Sequence, residues 1–465
     1  MLKKWREYVR FLREAVTGEE KEFTSGSINR AIFLLSIPMV LEMLMEGVFA
    51  VVDIFFVSRL GKEATATVGL TEGVMAQIMA LSMGLSMAAT AMVARRIGEK
   101  NREGAAIAAV QVIYLGIAVS IIMGVVFYFT AEDILRIMGG SPELIRVGSG
   151  YTRLLLSGSS TMFFIFLLNA IFRGAGDAAI AMRTLILANG CNIVLCPLFI
   201  FGLGPFPELG VTGAAVATTT GRGIGVLYQL WYLFNGRSLI TIKKHHLKPA
   251  FGIMLRLMRV ASTGVLQHFI PTTSWVLVIR IIAIFGDAAV AGYSIGIRIF
   301  VFTILPAWGM SQAASTLVGQ NLGAGQPDRA ETSVWRTAFY NMMFLTTVSI
   351  VFFIFAPQLV SFFTHEAEVT YHAIQCLRIV GLGCAFYAFG MVISQSFSGA
   401  GDTVTPSLIN LVAFWGIQIP LSYLLAKPAG LGPEGVFWGI AISESLLAVF
   451  AILIFRRGKW KNVKI

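Results

Sequence analysis

Twelve mostly apolar runs, separated by short polar stretches, recur along the chain. Each is about 20 residues or longer, enough to cross roughly 30 Å of hydrocarbon as an α-helix. They fall near 31–56, 66–94, 105–129, 149–171, 180–203 and 210–234, then 254–285, 288–318, 331–356, 371–396, 404–426 and 435–455. The runs are continuous rather than alternating, and only helices or closed barrels satisfy the backbone in lipid, so the pattern predicts an all-α polytopic membrane protein. The most polar internal stretch, Asn235 to Ala250, separates six runs from six. The expected organisation is an N-terminal segment 1–30, an N-lobe 31–234, a linker 235–253, a C-lobe 254–455 and a tail 456–465.

Comparison of the halves finds one register, a shift of 225 positions, that aligns distant segments without a gap. Gly61 falls on Gly286, Gly84 on Gly309, Ser86 on Ser311, Gly98 on Gly323, and Gly210-Val211 on Gly435-Val436. The block Gly174-Ala175-Gly176-Asp177 falls on Gly399-Ala400-Gly401-Asp402. Each half has an even number of spans, so the repeats are parallel about an axis normal to the membrane, an arrangement that places substrate between the halves near mid-bilayer.

Composition agrees: 56% of residues are hydrophobic and 13% charged, far from the balance of soluble domains. The net charge of +11 comes from Lys and Arg between the runs, not from a basic face that would read nucleic acid. These residues crowd the N-terminus, Arg95 to Arg102, Arg237 to Lys248 and Arg456 to Lys464, whereas alternate loops hold few, such as Arg59, Lys62 and Lys427. Both termini are therefore expected in the cytoplasm, with the chain multi-pass in the inner membrane and acting as a monomer. Leu2, Trp5, Val9, Leu12 and Val16 recur at helical spacing, predicting an amphipathic helix on the inner surface, and no removable signal peptide is expected. Cys191, Cys196, Cys376 and Cys384 lie in apolar stretches without metal or redox spacing and read as inert thiols.

Charges inside the runs are costly, so each needs a partner, a wet cavity or a role. Glu42, Glu46 and Asp53 in the first run fall on one helical stripe roughly 40° wide. Three crowded carboxylates are expected to include at least one that exchanges a proton near neutral pH; for any single acid, pairing with a basic group on a neighbouring helix is the alternative. The register puts Gln267, Pro271 and Val278 opposite these acids, so the second half has lost the stripe. It carries His268, Arg280 and Arg298 instead, while Glu72 joins the first-half acids. A cation site therefore belongs to the N-lobe, with Asn169, Asn189 and Asn192 as neutral partners for a cation, a proton network or other helices. Pro38 and Gly47 mark the first helix as one that can bend, and Pro197, Pro271, Pro306 and Pro420 mark other bends or static kinks.

There is no phosphate loop for ATP: Gly221-Arg222-Gly223-Ile224-Gly225 lies within an apolar run. His365, Glu366, Glu368 and His372 lack the spacing of a specific metal site and read as a solvated loop. No catalytic set stands out, so an enzyme is not expected.

Val51-Val52-Asp53-Ile54-Phe55-Phe56-Val57-Ser58-Arg59-Leu60-Gly61, Phe172-Arg173-Gly174-Ala175-Gly176-Asp177, Gly319-Gln320-Asn321-Leu322-Gly323-Ala324-Gly325 and Ser398-Gly399-Ala400-Gly401-Asp402 resemble the multidrug and toxic compound extrusion (MATE) family, in particular its bacterial DinF-like branch. The resemblance covers all twelve spans. It implies two six-helix lobes in a V and export of cationic or amphiphilic organic compounds by alternating access against inward proton or sodium flow. It also implies a cation site in the N-lobe, with Asp53 as the first-helix carboxylate, Asn192 as the fifth-helix asparagine and Thr218 or Thr219 as the sixth-helix threonine. Cys196 stands where many members have a second aspartate, and Gln267 where some have a seventh-helix glutamate. A thiol is a poor ligand for a hard cation, so proton coupling is expected over sodium, with Glu42 or Glu46 as substitutes for the missing acid.

The expected activity is thus a secondary multidrug antiporter whose proton or cation site is Asp53, Glu42, Glu46, Asn192 and Thr218. Pro38 is its bending point, and Asn169, Asn189, Cys196, Gln267 and His268 are candidates for the substrate cavity. No cofactor or metal is expected beyond the coupling ion. A flippase for a lipid-linked saccharide or other lipid is the alternative, with Arg280 and Arg298 available to a phosphate.

Overall fold

The structure, a computed structural model, describes residues 2–18 and 22–465, and their side chains except those of 2–8 and Ala50. Met1 and residues 19–21 of the expected N-terminal segment lie outside it, as do the side chains of Leu2 and Trp5. In the first half, α1 is Leu2–Thr17, α2 Ile28–Val57, α3 Lys62–Gly98, α4 Arg102–Ile137, α5 Pro142–Ser157, α6 Ser160–Gly174, α7 Ala178–Phe201 and α8 Val211–Phe234. In the second, α9 is Phe251–Ile282, α10 Asp287–Gly323, α11 Pro327–Ser361, α12 Ala367–Leu382, α13 Cys384–Ala400, α14 Val404–Asn410, α15 Ile419–Ala426 and α16 Pro433–Phe455. Among the described residues there is no strand.

Nine helical stretches are long and apolar enough to cross a bilayer, or ten with α12 and α13 taken as one bent span, counted among the described residues. The α2 and α8 helices are of spanning length but outside that set; they carry Glu42, Glu46 and Asp53, and Thr218, Arg222 and Gln229.

Two runs expected as single helices are broken. The 149–171 run is α5 and α6, parted at Gly158-Ser159, and the 371–396 run is α12 and α13, bent by 58° at Gly383. Gly158 and Gly383 are 225 positions apart, so the break belongs to the duplicated fold. The turn from α2 to α3 passes through a 3-10 segment, Ser58–Leu60, and Gly61 at φ +110°; its counterpart is Ala283–Phe285 and Gly286 at φ +101°. Only glycine adopts that backbone without strain. Between α14 and α15, Leu411–Gln418 is π-helical, just before Pro420, which cannot donate to the helix ladder.

The halves meet through glycines that obey the same register. A Cβ on Gly84 would lie 2.5 Å from the Val265 nitrogen, and one on Gly309 would lie 2.7 Å from the Met39 carbonyl oxygen and the Val40 Cα. A Cβ on Gly98 would lie 1.9 Å from the Gln320 carbonyl oxygen, and one on Gly323 2.1 Å from that of Arg95. Each contact in one half has its twin 225 residues away, so α3 sits on α9 as α10 sits on α2. Gly174 and Gly399 pack on the carbonyls of Thr90 and Ser315, where a Cβ would lie 2.9 and 2.2 Å away, which gives the G-A-G-D repeat a packing role.

These contacts lie at the end of the bundle that carries the termini and the linker. Beyond Gly47, which packs on Phe302 and Leu305, the halves part around a cleft of about 730 Å³ whose walls include Phe55, Glu72, Arg298, Phe302 and Phe362.

The polar ends are tied down. Trp460 is buried and stacks on Phe455 at 4.6 Å, Lys461 meets Glu331 at 2.6 Å, and Arg95 donates to the Val463 carbonyl at 2.9 Å. The Glu331 carboxylate holds the Lys461 ammonium above its ordinary pKa. Linker residues are strapped to α4: Tyr114 donates to the Leu247 carbonyl at 2.7 Å, and Gln111 accepts from the Ala250 amide at 2.9 Å. On α1, Ala15 is buried while Val9, Leu12 and Val16 stay exposed. Arg183 donates to the Val16 and Thr17 carbonyls at 2.9 and 2.6 Å, fixing the helix against α7.

Candidate functional site

The three acids of α2 face α6, α7 and α8, and the structure gives them different partners. Glu42 is fully buried; it accepts from Asn169 Nδ2 at 2.8 Å and is paired with Arg173 Nη1 at 2.5 Å. Asn169 in turn accepts from Gln229 Nε2. One turn further on, Glu46 is paired with Arg222 Nη2 at 3.1 Å, and that guanidinium also lies over the Phe49 ring at 4.7 Å. Asn189 ties α7 to α2 at this level by donating to the Met45 carbonyl at 2.9 Å.

Asp53 differs. Its Oδ2 accepts from the Thr218 hydroxyl at 2.8 Å and its Oδ1 from Asn192 Nδ2 at 3.1 Å, with Cys196 Sγ 3.9 Å from Oδ1. Thr218 also lies 3.4 Å from Asn192 Oδ1, closing a small network. Among the described residues no Lys, Arg or His forms an ion pair with Asp53. Asp53, half-buried and held by neutral donors, is the one group of the three whose charge is not already balanced by an ion pair, whereas removing either partner of the buried Glu42–Arg173 pair would strand a charge.

Asp53, Asn192, Thr218 and Cys196 therefore form one cluster. Glu42 with Asn169, and Glu46 with Arg222, form two others along the same helix. Pro38 lies inside α2, which runs through it without a break. Gln267 and His268 stand apart from Asn169, Asn189 and Cys196, in the wall of a separate cavity between the C-lobe helices.

Arg173, Arg222 and Gln229 were not singled out by the sequence as partners, nor was Glu444, which lines that C-lobe cavity. The signal was present for Arg222, because a basic residue inside an apolar run needs an acid to balance it; Arg173 lies just past the 149–171 run.

Near the loop after α11, His372 Nδ1 lies 3.5 Å from Glu434. The group of potential metal ligands that does gather among the described residues is Glu103, His245 and His246. His246 Nδ1 accepts from the Lys243 amide at 3.0 Å, so its proton sits on Nε2, directed at Glu103. A metal-bound imidazole needs the reverse, its second nitrogen donating. The cluster is a hydrogen-bonded strap between linker and α4.

A family model, MatE, matches residues 38–198 and 263–424, two segments that begin 225 positions apart. The probable multidrug resistance protein NorM of Thermotoga maritima is 27% identical over 435 residues, covering 94% of both chains. An FAD transporter of Shewanella oneidensis is 25% identical over 446 residues, covering 93% of this chain and 95% of that one. Among solved structures, an outward-facing multidrug resistance MATE family transporter superposes with a TM-score of 0.87 at 29% identity, covering 94% of this chain and 98% of that one. With the match covering most of its length in two copies, the chain belongs to the MatE family: it is a polytopic membrane transporter and not an enzyme.

Proposed function

We propose that the chain is a secondary antiporter that exports cationic or amphiphilic organic compounds in exchange for protons, with Asp53 as the group that carries the coupling proton. The observation that carries this reading is the contrast along α2: Glu42 and Glu46 have arginine counter-ions, and Asp53 has only neutral donors. A proton can bind and leave such a carboxylate without breaking an ion pair. Sodium suits it less. Asn192 presents its NH2 and Thr218 its hydroxyl proton to the carboxylate, and Cys196 replaces an oxygen ligand with a soft, neutral sulfur.

In this reading the chain is a monomer in the inner membrane with both termini cytoplasmic, and it needs no cofactor. Segments 31–234 and 254–455 are the moving lobes, joined by 235–253. The tight glycine contacts at the terminal end and the cleft at the other are those of an outward-open state. Protonation of Asp53 then alters the contacts of α2, which bends at Pro38 and expels substrate. The names of the relatives, a multidrug resistance protein and an FAD transporter, support organic substrates of more than one kind.

In proteoliposomes an imposed pH gradient is expected to drive movement of an organic cation, and a sodium gradient is not. Drive by sodium alone would transfer the coupling to sodium; full pH-driven transport by Asp53→Asn would remove Asp53 from the role. The lipid flippase is favoured less, because Arg298 shares the interlobe cleft with Glu72 and the wall is bipolar rather than basic. Lipid flipping in a cell-free assay, without organic-cation transport, would reverse that ranking.

A further inference from the structure

The C-lobe holds a half-open cavity of about 250 Å³ between α9, α10, α13, α14 and α16. Three polar atoms on its lining residues are buried without a hydrogen-bond partner among the described residues: His268 Nε2, Gln395 Oε1 and Glu444 Oε2. Glu444 is the sole carboxylate in the wall. Four aromatic residues, Trp275, Trp308, Tyr387 and Phe414, stand among aliphatic and polar ones in the rest of the wall, and the Trp308 and His268 rings meet edge to face at 6.2 Å.

The wall is built rather than accidental. Pro271 has no N–H for the Gln267 carbonyl one turn before it, and Asn410 Nδ2 takes that carbonyl at 2.8 Å. The Gln267 side chain is held by Ser398 Oγ at 3.1 Å. Buried polar atoms left unpaired beside a largely apolar wall are costly, and their convergence on one cavity marks a place where something polar binds.

The repeat excludes a leftover of the N-lobe site. Glu444 falls on Thr219 and His268 on Met43 in the register, so neither has an ionisable counterpart in the other half. The positions that do correspond to Glu42 and Asp53 are Gln267 and Val278, which are neutral.

We propose that this cavity is a binding site for a small organic ammonium ion, with Glu444 as its counter-charge and Trp275, Trp308 and Tyr387 as its aromatic wall. A carboxylate with a free oxygen beside several aromatic faces fits a cation with an apolar body, which gains from the charge and from the rings together. At about 250 Å³ the site has room for a single-ring ammonium. His268 and Gln395 orient the ligand or bridge it through water. The assignment rests on the export reading above and adds a division of labour, with ion coupling in one lobe and ligand charge recognition in the other.

The test is equilibrium calorimetry on the full chain in nanodiscs with no ion gradient, so a loss of proton coupling does not affect it. The probes are benzyltrimethylammonium and its uncharged carbon isostere. The cation is expected to bind at least ten-fold more tightly than the isostere, Glu444→Gln to abolish that difference, and Trp308→Leu to weaken the cation several-fold. Absence of cation binding, equal binding of the isostere, or an unchanged affinity in Glu444→Gln overturns the proposal. Should Glu444→Gln fail to fold, Met391→Trp fills the same cavity without touching its charge; binding lost there supports the site, and binding retained there overturns it.

Discussion

The two lobes are the same arrangement written in two chemistries. In the N-lobe, Glu42 on α2 is held by Asn169 and Arg173 on α6; at the same three positions of the C-lobe, Gln267 on α9 faces Ser394 and Ser398 on α13. Ser398 donates to Gln267 at 3.1 Å where Arg173 donates to Glu42 at 2.5 Å, so the bond survives and the charges do not. Asp53 and Thr218 likewise correspond to Val278 and Ser443. The C-lobe shows that this packing of helices needs no ions, and buried ion pairs are weak sources of net stability. The N-lobe charges are therefore not something that this helix packing requires.

The sharpest way to break that comparison is to treat equivalent positions alike. Asp53→Asn is expected to reduce pH-driven transport by roughly 10²-fold or more, the scale of removing a positioned proton-transfer group. Val278→Thr, at the matching site of the C-lobe, is expected to leave coupled transport near wild type. Initial rates in proteoliposomes under one imposed gradient decide it, and equal losses in both variants would mean that the lobes are not divided in function.

Next in size is the ion pair itself. Arg173→Gln leaves Glu42 buried and unpaired and is expected to lower stability by about 3–5 kcal/mol. The double variant Glu42→Gln, Arg173→Ser copies the C-lobe pair and should recover most of that loss. Unfolding titrations in detergent measure both. If the double variant is as unstable as the single one, the neutral set works only in its own lobe.

Much of this contrast was legible before any coordinates. The twelve runs, the duplication and the missing acids at Gln267 and Val278 come from hydropathy and one register, because lipid forces long apolar helices and duplication preserves glycine contacts. The paired state of Glu42 and Glu46 was not legible. Arg173 and Arg222 lie well over a hundred positions from their acids, and one helix stripe carries no information about which neighbour turns toward it. The breaks at Gly158 and Gly383 were hidden for a related reason: hydropathy runs straight through both, and only the backbone shows the interruption at Gly158 and the 58° bend at Gly383. Glu444 was not legible from the duplication, because it occupies a position that the N-lobe leaves neutral, that of Thr219.

A smaller effect is expected where the lobes touch. Gly98→Ala and Gly323→Ala place a methyl against opposing carbonyls that are symmetry twins, so each should cost about 1–3 kcal/mol of stability for the closed terminal end, and by similar amounts. Accessibility of a cysteine introduced beside Gly98 reports the opening. Strongly unequal effects would show that the two contacts, alike in geometry, differ in how far their neighbours can give way.

The smallest prediction probes the neutral twin directly. Ser398→Ala removes one donor to Gln267 inside the C-lobe, and a neutral hydrogen bond of this kind contributes about 0.5–1.5 kcal/mol. Its effect should therefore be several-fold below that of Arg173→Gln, although both variants remove the same bond at the same position of the repeat. The difference between the two measurements is the cost of stranding a charge, separated from the cost of losing a contact, because the surrounding helix geometry is held constant by the duplication. A Ser398→Ala loss as large as that of Arg173→Gln would mean that the C-lobe relies on this polar contact as heavily as the N-lobe does, and that the fold is not indifferent to these groups.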